Sequence, residues 1–167
     1  FFKEYNVPIK IVRPFNNYGP GLKITDGRLI PDFAKNIFEN KNITIFSNGS
    51  PTRTFCYISD AIVGYFKILI NGRNGESYNI GNDKPEISVV DLAKIISRTA
   101  NELFLYNKKI IYKINKDPNY LIDNPQRRCP DISKACDELN FKPLISIETG
   151  IKKSLLWYSE NLEEINQ

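Results

Sequence analysis

The 167-residue sequence contains no histidine and no methionine, and it has only three cysteines and one tryptophan. Without histidine it lacks the side chain that most often moves protons or ligates metals near neutral pH. Cys56, Cys129 and Cys136 are odd in number and none sits in a Cys-x-x-Cys pair. Neither a disulfide framework nor a zinc site is therefore expected, and a reducing, cytoplasmic setting is the default. Methionine is missing even from position 1, as expected of an internal piece of a longer product. No apolar run reaches the length of a membrane span, and no charged-then-apolar signal segment opens the sequence. A Gly-x-x-Gly-x-x-Gly phosphate turn is absent, and no Tyr-x-x-x-Lys pair is expected to act as acid–base.

What is present is a soluble composition, 41% hydrophobic and 25% charged, in a length that suits one domain with a real core. The net charge of +4 is scattered without a basic block. That speaks against nucleic acid as a partner and favours a small anionic ligand. No internal repeat or low-complexity segment interrupts the chain.

Most of the functional information lies in residues 43–60. Ile43, Thr44, Ile45 and Phe46 read as a short strand, closed by the turn residues Ser47, Asn48, Gly49, Ser50 and Pro51. A second strand follows, in which Arg53, Phe55 and Tyr57 alternate with Thr54, Cys56 and Ile58, so that one face carries a guanidinium among rings. Ser59 and Asp60 are expected to cap a helix over 60–70, with Ile62, Tyr65, Phe66 and Leu69 inward. A planar guanidinium beside a turn suits a phosphate, and Phe46 suits stacking on a base. The plainer alternative is a surface ion pair for Arg53 and a core position for Phe46.

Elsewhere, residues 1–6 read as a helix end, 8–12 as a strand, and 13–21 as a Pro-, Gly- and Asn-rich loop, the kind of place where open α/β sheets put ligands. A helix over 28–40 carries Leu29, Phe33, Ile37 and Phe38 at helical spacing, with Arg28 at its mouth, where an anion is favoured. Residues 76–80 form a strand ending in the polar turn after Asn79, and Ser88 caps a helix over 89–101 with Leu92, Ile95 and Ile96 on one face. Residues 109–114 read as a strand and 117–130 as a loop containing Arg127 and Arg128. Helices over 132–139, capped by Asp131, and from 147 to about 162 complete the chain.

Asn16, Arg28, Arg53 and Arg128, with Asn79, are cations or amides on separate loops and element starts. Together they describe a pocket for a phosphorylated ligand, because a diphosphate needs several cationic or N–H donors. No catalytic residue emerges from them.

The order of motifs adds a resemblance. Arg-Pro-Phe-Asn-Asn-Tyr-Gly-Pro at 13–20, Asp-Gly-Arg-Leu-Ile-Pro at 26–31, Ile-Thr-Ile-Phe at 43–46 and Thr-Arg-Thr-Phe-Cys-Tyr-Ile-Ser-Asp at 52–60 are followed by Tyr-Asn-Ile-Gly-Asn at 78–82 and Arg-Arg-Cys-Pro-Asp-Ile-Ser-Lys-Ala at 127–135. In this order and spacing the chain resembles the carboxyl half of the NAD-dependent epimerase/dehydratase family, the extended short-chain dehydrogenases of nucleotide sugars. UDP-glucuronate decarboxylases and dTDP-glucose 4,6-dehydratases look nearest.

The resemblance implies an α/β fold comprising the last Rossmann-type elements interleaved with a small substrate-binding domain, the NAD-binding amino half being absent. It implies that Asn16 meets the diphosphate or sugar, that Arg28 and Leu29 line the nucleotide end, and that Phe46 stacks beside the pyrimidine. Arg53 and Arg128 would clamp the diphosphate, Arg127 being a weaker candidate, and Asn79 would lie near the nucleotide or phosphate. Pro14 and Phe15 would approach the nicotinamide. The parent would be a homodimer without membrane or nucleic-acid partners, passing through a 4-keto sugar. The competing expectations are a non-catalytic nucleotide-sugar or phosphate-binding module and a structural domain with solvent-facing arginines.

Overall fold

The computed structural model describes residues 1–113 and 125–162. Residues 117–124 of the expected loop, and Ile114 of an expected strand, lie outside them. The chain is mixed α/β, and the fifteen elements among the described residues gather around two apolar cores.

The first core is built by three amphipathic helices over one parallel strand pair. Helices α2 (Leu29–Phe38), α4 (Val89–Phe104) and α6 (Ile147–Glu160) enclose β3 (Ile43–Ile45), which runs parallel to β8 (Ile110–Tyr112). Phe33, Ile37, Ile43, Ile45, Leu92, Ile96, Ile151, Leu155 and Tyr158 fill it. Two of the helices start on serine caps as their sequences dictate: Ser88 Oγ accepts from Asp91 N at 3.1 Å and Ser146 Oγ from Thr149 N at 3.2 Å.

The second core lies against β1 (Ile11–Pro14), which runs parallel to β6 (Ser77–Ile80) in the register Ile11 to Ser77 through Pro14 to Ile80. Helices α3 (Ile58–Asn71) and α5 (Ser133–Leu139) pack on this pair and bury Ala61, Ile68, Tyr78, Ile80, Ala135 and Phe141. A short helix, α1 (Phe2–Tyr5), precedes it and ends on Asn6 in the left-handed conformation.

Between the cores sit very short strands: β2 (Asn17–Tyr18) parallel to β5 (Cys56–Tyr57), and a three-stranded set in which β4 (Thr52–Arg53) is central between β7 (Ile87–Ser88) and β9 (Arg127–Arg128). This corrects the expected single strand after the turn at 47–51. The chain breaks at Thr54 and Phe55, and its two halves join different sheets, so the alternation does not hold and Cys56 and Tyr57 are both buried. Arg127 and Arg128, expected in a loop, form a strand.

Helix α3 differs from expectation at two points. It begins at Ile58 with Tyr57 at the capping position, and it turns Ile62, Phe66 and Leu69 outward, with Ala61, Gly64 and Ile68 against the sheet. Asp60 does not cap the helix. Its Oδ2 accepts from the backbone N–H groups of Leu144 at 3.0 Å and Ile145 at 2.9 Å, tying α3 to the entry of α6. Asp60→Ala strips both donors of their acceptor and is expected to lower the unfolding free energy by about 2 kcal/mol in urea titration. A loss under about 0.5 kcal/mol would show that this tie carries no stability.

Among the described residues no helix is long and apolar enough to cross a membrane.

Candidate functional site

A cavity of about 220 Å³ opens where the mouth of α2, the end of β3 and the short strands converge. Asn16, Arg28, Leu29, Phe46, Arg53 and Arg128 all line it.

Arg53 sits on the central strand of its sheet and is 7% exposed, with Nη1 donating to the carbonyl of Thr52 at 2.7 Å. In the β4–β9 ladder its direct partner is Arg128. Directly opposed residues on neighbouring strands share a face, their backbones about 4.8 Å apart. Both side chains line the cavity, and a guanidinium there is a donor of charge-assisted hydrogen bonds suited to an anion.

Arg127, one residue earlier, has the opposite orientation that strand geometry requires. Its Nε lies 3.0 Å from both carboxylate oxygens of Glu86, and its Nη2 lies 2.9 Å from Oε2. The hydroxyl of Thr52 also donates to Glu86. The hydrogen bond from Thr52, then that from Arg127, holds the Glu86 carboxyl below its ordinary value. This fastening of β9 to β4 is therefore present above the usual carboxylate range and fades as pH falls through the lowered value.

Arg28 occupies the position just before α2, where its Nε engages both oxygens of Asp26 at 2.9 and 2.7 Å and its Nη1 reaches the carbonyl of Asn17 at 3.3 Å. Leu29 begins the helix and packs on the first core. Phe46 lies just past the end of β3 and is 44% exposed, so its ring is offered to the cavity mouth rather than sunk in the core. Asn16 holds a left-handed backbone with φ 44, unusual outside glycine, and donates Nδ2 to the carbonyl of Thr54 at 2.8 Å. That bond links the loop after β1 to the break between β4 and β5.

The cavity also draws in Asn17, read from the sequence as a polar residue of the loop at 13–21, and two residues that sequence reasoning passed over, Tyr18 and Asp32. Asn17 donates Nδ2 to the Tyr65 hydroxyl, and its buried Oδ1 has no hydrogen-bond partner among the described residues. Tyr18 packs edge-on against Phe55 and Tyr57 with centroids 6.2 and 5.6 Å apart. Burial pushes its phenol up, so it stays neutral near neutral pH. Asp32, in the first turn of α2, is half-buried, and desolvation raises its carboxyl, Asp26 adding and Lys35 opposing. Tyr18 adjoins Asn16 and Asn17 in the motif at 13–20, and Asp32 follows Pro31; for these two that adjacency is the available signal.

Asn79, Pro14 and Phe15 do not line this cavity. Asn79, on β6, donates Nδ2 to the carbonyl of Asp131 at 2.8 Å. Pro14 is exposed at the end of β1, and Phe15 is half-buried there, its N–H bonded to Ile80 O at 2.9 Å. Burial pushes the Cys56 thiol up to about 12, with Asp60 adding, so it is no nucleophile at neutral pH. The Tyr-x-x-x-Lys spacing occurs at Tyr112 and Lys116, but Tyr112 ends strand β8 and Lys116 lies outside the described residues.

Comparison with known proteins agrees with the resemblance read from the motifs. The model of the NAD dependent epimerase/dehydratase family matches residues 1–81. UDP-glucuronic acid decarboxylase 4 of Arabidopsis thaliana is 32% identical over 151 residues, which is 90% of this chain and 32% of that protein. Among solved structures, the epimerase Mth375 of Methanothermobacter thermautotrophicus superposes with a TM-score of 0.87 at 28% identity, covering 99% of this chain and 47% of its own. UDP-glucuronic acid 4-epimerase of Bacillus cereus, solved with UDP-glucuronic acid and NAD, does so with a TM-score of 0.78 at 28% identity over 95% of this chain and 48% of its own. The chain thus spans about a third of the plant relative and about half of these structures. The fold is that of a Rossmann-type extended short-chain dehydrogenase, of which these residues form part.

Proposed function

We propose that this chain, which carries a segment of the NAD dependent epimerase/dehydratase family at residues 1–81, is the substrate-binding portion of a nucleotide-sugar epimerase, dehydratase or decarboxylase acting through a 4-keto sugar. The observation that carries the reading is the pairing of Arg53 with Arg128 on adjacent strands of one cavity whose mouth bears the Phe46 ring. In this reading the diphosphate lies between the two guanidiniums, the base rests against Phe46 near Arg28 and Leu29, and Asn16 meets the sugar or the phosphate next to it. Asn79, across the end of β6, approaches the same ligand from outside the cavity.

Binding energy gathered there, away from the reacting carbon, holds the sugar in position for chemistry at its C4. Toward NAD the chain offers an apolar edge, Pro14 and Phe15 at the carboxyl end of a parallel strand, and no glycine-rich turn to hold a dinucleotide pyrophosphate. NAD, when bound, supplies hydride acceptance. This chain's own residues supply orientation. The free cysteines accord with a reducing cytoplasm, and a homodimeric parent completes the reading.

Calorimetric titration with UDP, dTDP, GDP and UDP-glucuronate tests it. One pyrimidine diphosphate is expected to bind, and Phe46→Ala to weaken it about tenfold, in the range of one base–aromatic stack. Failure of all four ligands to bind a well-folded chain would refute the assignment. A second reading, a binding module without turnover, is favoured by the neutral state of Tyr18 and the lack of histidine. Turnover of UDP-glucuronate in an assembled complex containing this chain would exclude it.

A further inference from the structure

We propose that Glu86 is a positioning residue of the cavity: by holding Arg127 from across the sheet it fixes the register of β9, so that Arg128 and not Arg127 stands beside Arg53. What Arg128 does there rests on the functional reading above; the register of β9 does not. The residues of β9 leave that register open. The strand is two residues long, both are arginines, and both are exposed. Register is strongly specified where one face of a strand is buried and weakly where neither is, and a slip of one residue exchanges the faces.

A slip in one direction sets Arg127 opposite Arg53 and turns Arg128 outward. Residue type does not oppose it, since one arginine replaces the other. Nor does the backbone. Thr52 N–H donates to the carbonyl of Gln126 at 2.8 Å and Thr54 N–H to that of Arg128 at 3.3 Å, and a slipped strand offers the same groups one residue along. The opposite slip, with Cys129 against Arg53, draws on the chain beyond β9. That chain is anchored: the Asp131 carbonyl accepts from Asn79 Nδ2 at 2.8 Å, and Cys129 Sγ lies 3.4 Å from the Asp83 carbonyl. The first slip only adds slack there, of the kind a bulge absorbs.

The face of the sheet away from the cavity discriminates between the registers. On the cavity side the pairing places Ile87, Arg53 and Arg128 in one row, and on the other side Ser88, Thr52 and Arg127. Glu86, just before β7, shares the face of Ser88 by strand alternation. From there its carboxylate reaches past the central strand. It accepts from the Thr52 hydroxyl on β4 and engages Arg127 on β9, with Nε 3.0 Å from both oxygens and Nη2 2.9 Å from Oε2. One side chain thereby ties three strands.

An isolated exposed ion pair contributes little, but one held through two guanidinium nitrogens, with a further donor on the carboxylate, has the bidentate and networked geometry in which such pairs count. In the slipped register Gln126 takes the place of Arg127 on this face, and Glu86 loses its cation. The contest is between two arginines that are otherwise equivalent, so a modest interaction suffices to decide it. Glu86 makes no contact with the cavity and acts through β9.

The test reads register and affinity separately in Glu86→Ala, with Glu86→Gln as the variant that keeps the side chain's shape. Cross-strand proton contacts by NMR are expected to pair Arg53 with Arg128 alone in the parent chain. In Glu86→Ala a second set is expected, pairing Arg53 with Arg127. Calorimetry with UDP then asks which arginine matters: Arg128→Ala, which costs about tenfold in the parent chain, is expected to cost less than about threefold in Glu86→Ala, because Arg127 takes its place. Removing Arg127 as well is expected to restore the full loss. A carboxylate that merely stabilises the fold would leave the cost of Arg128→Ala unchanged. A single native set of contacts in both Glu86 variants overturns the proposal. So does a tenfold cost of Arg128→Ala that persists without Glu86. Absence of UDP binding by the parent chain counts against the cavity reading alone, and the NMR contacts still decide the register.

Discussion

Arg53→Met is expected to lower affinity for a nucleoside diphosphate about a hundredfold, equivalent to about 2.7 kcal/mol. A charge-assisted hydrogen bond contributes about 1.5–3 kcal/mol, and the planar fork can make two. The effect is large because Arg53 is buried at the centre of its sheet and its head has little freedom to lose on binding. Arg128→Ala is expected to lose about tenfold, since Arg128 lies on the outer strand and is exposed, so that water screens its charge. Arg53→Lys keeps the charge and loses the fork, and it falls between the two. Arg127→Ala, whose guanidinium is engaged with Glu86 on the other side of the strand, serves as the internal contrast and should change affinity only a few-fold. Calorimetry decides: an Arg53→Met affinity within twofold of the parent, in a chain whose urea midpoint is unchanged, removes Arg53 from the site.

Gly150→Val is expected to destabilise the fold by about 3 kcal/mol, lowering Tm by about 10 °C. Gly150 lies in α6 where that helix crosses β2 and β5. A Cβ there would collide with the Tyr18 hydroxyl, would lie 2.8 Å from Tyr18 Cζ, and would come within 3.0 Å of Tyr57 Cδ2. Both rings belong to the first core, and Tyr18 also lines the cavity. Overpacking at this point should therefore reduce ligand affinity together with stability. Because the collision falls on the hydroxyl, Tyr18→Phe is expected to restore part of the loss in Gly150→Ala. A double variant no more stable than Gly150→Ala would mean that the helix, not the ring, yields.

The legible parts of this protein share a physical property. Helix α4 was readable because Ser88 caps it and Leu92 and Ile96 repeat on one buried face, so the capping and burial signals agree. Helix α2 was readable from its buried apolar spacing alone, no side chain capping it, and Arg28 fell at its mouth as expected. Helix α3 misled because it is apolar all round. With no polar side to mark the solvent, periodicity gives a helix but not its orientation, and Ile62, Phe66 and Leu69 were assigned to the wrong side. The strand after the turn misled for a related reason. Strands of two residues, buried on both sides and divided between two sheets, have no alternation to display.

By itself, the sequence determined that this is an α/β chain, that its motifs occur in the order of nucleotide-sugar epimerases and dehydratases, and that Asn16, Arg28, Arg53, Phe46 and Arg128 were the residues to follow. These are consequences of residue type and local spacing, which survive without a fold. Only the tertiary structure decided that Arg53 and Arg128 are ladder partners on one cavity while Arg127 fastens β9 to Glu86, that Asn79, Pro14 and Phe15 lie outside that cavity, and that α3 presents an apolar side outward. Strand register sets which of two adjacent arginines faces a ligand, because a shift of one residue exchanges the faces. That register is fixed by hydrogen bonds between segments far apart in the chain, which local spacing does not encode.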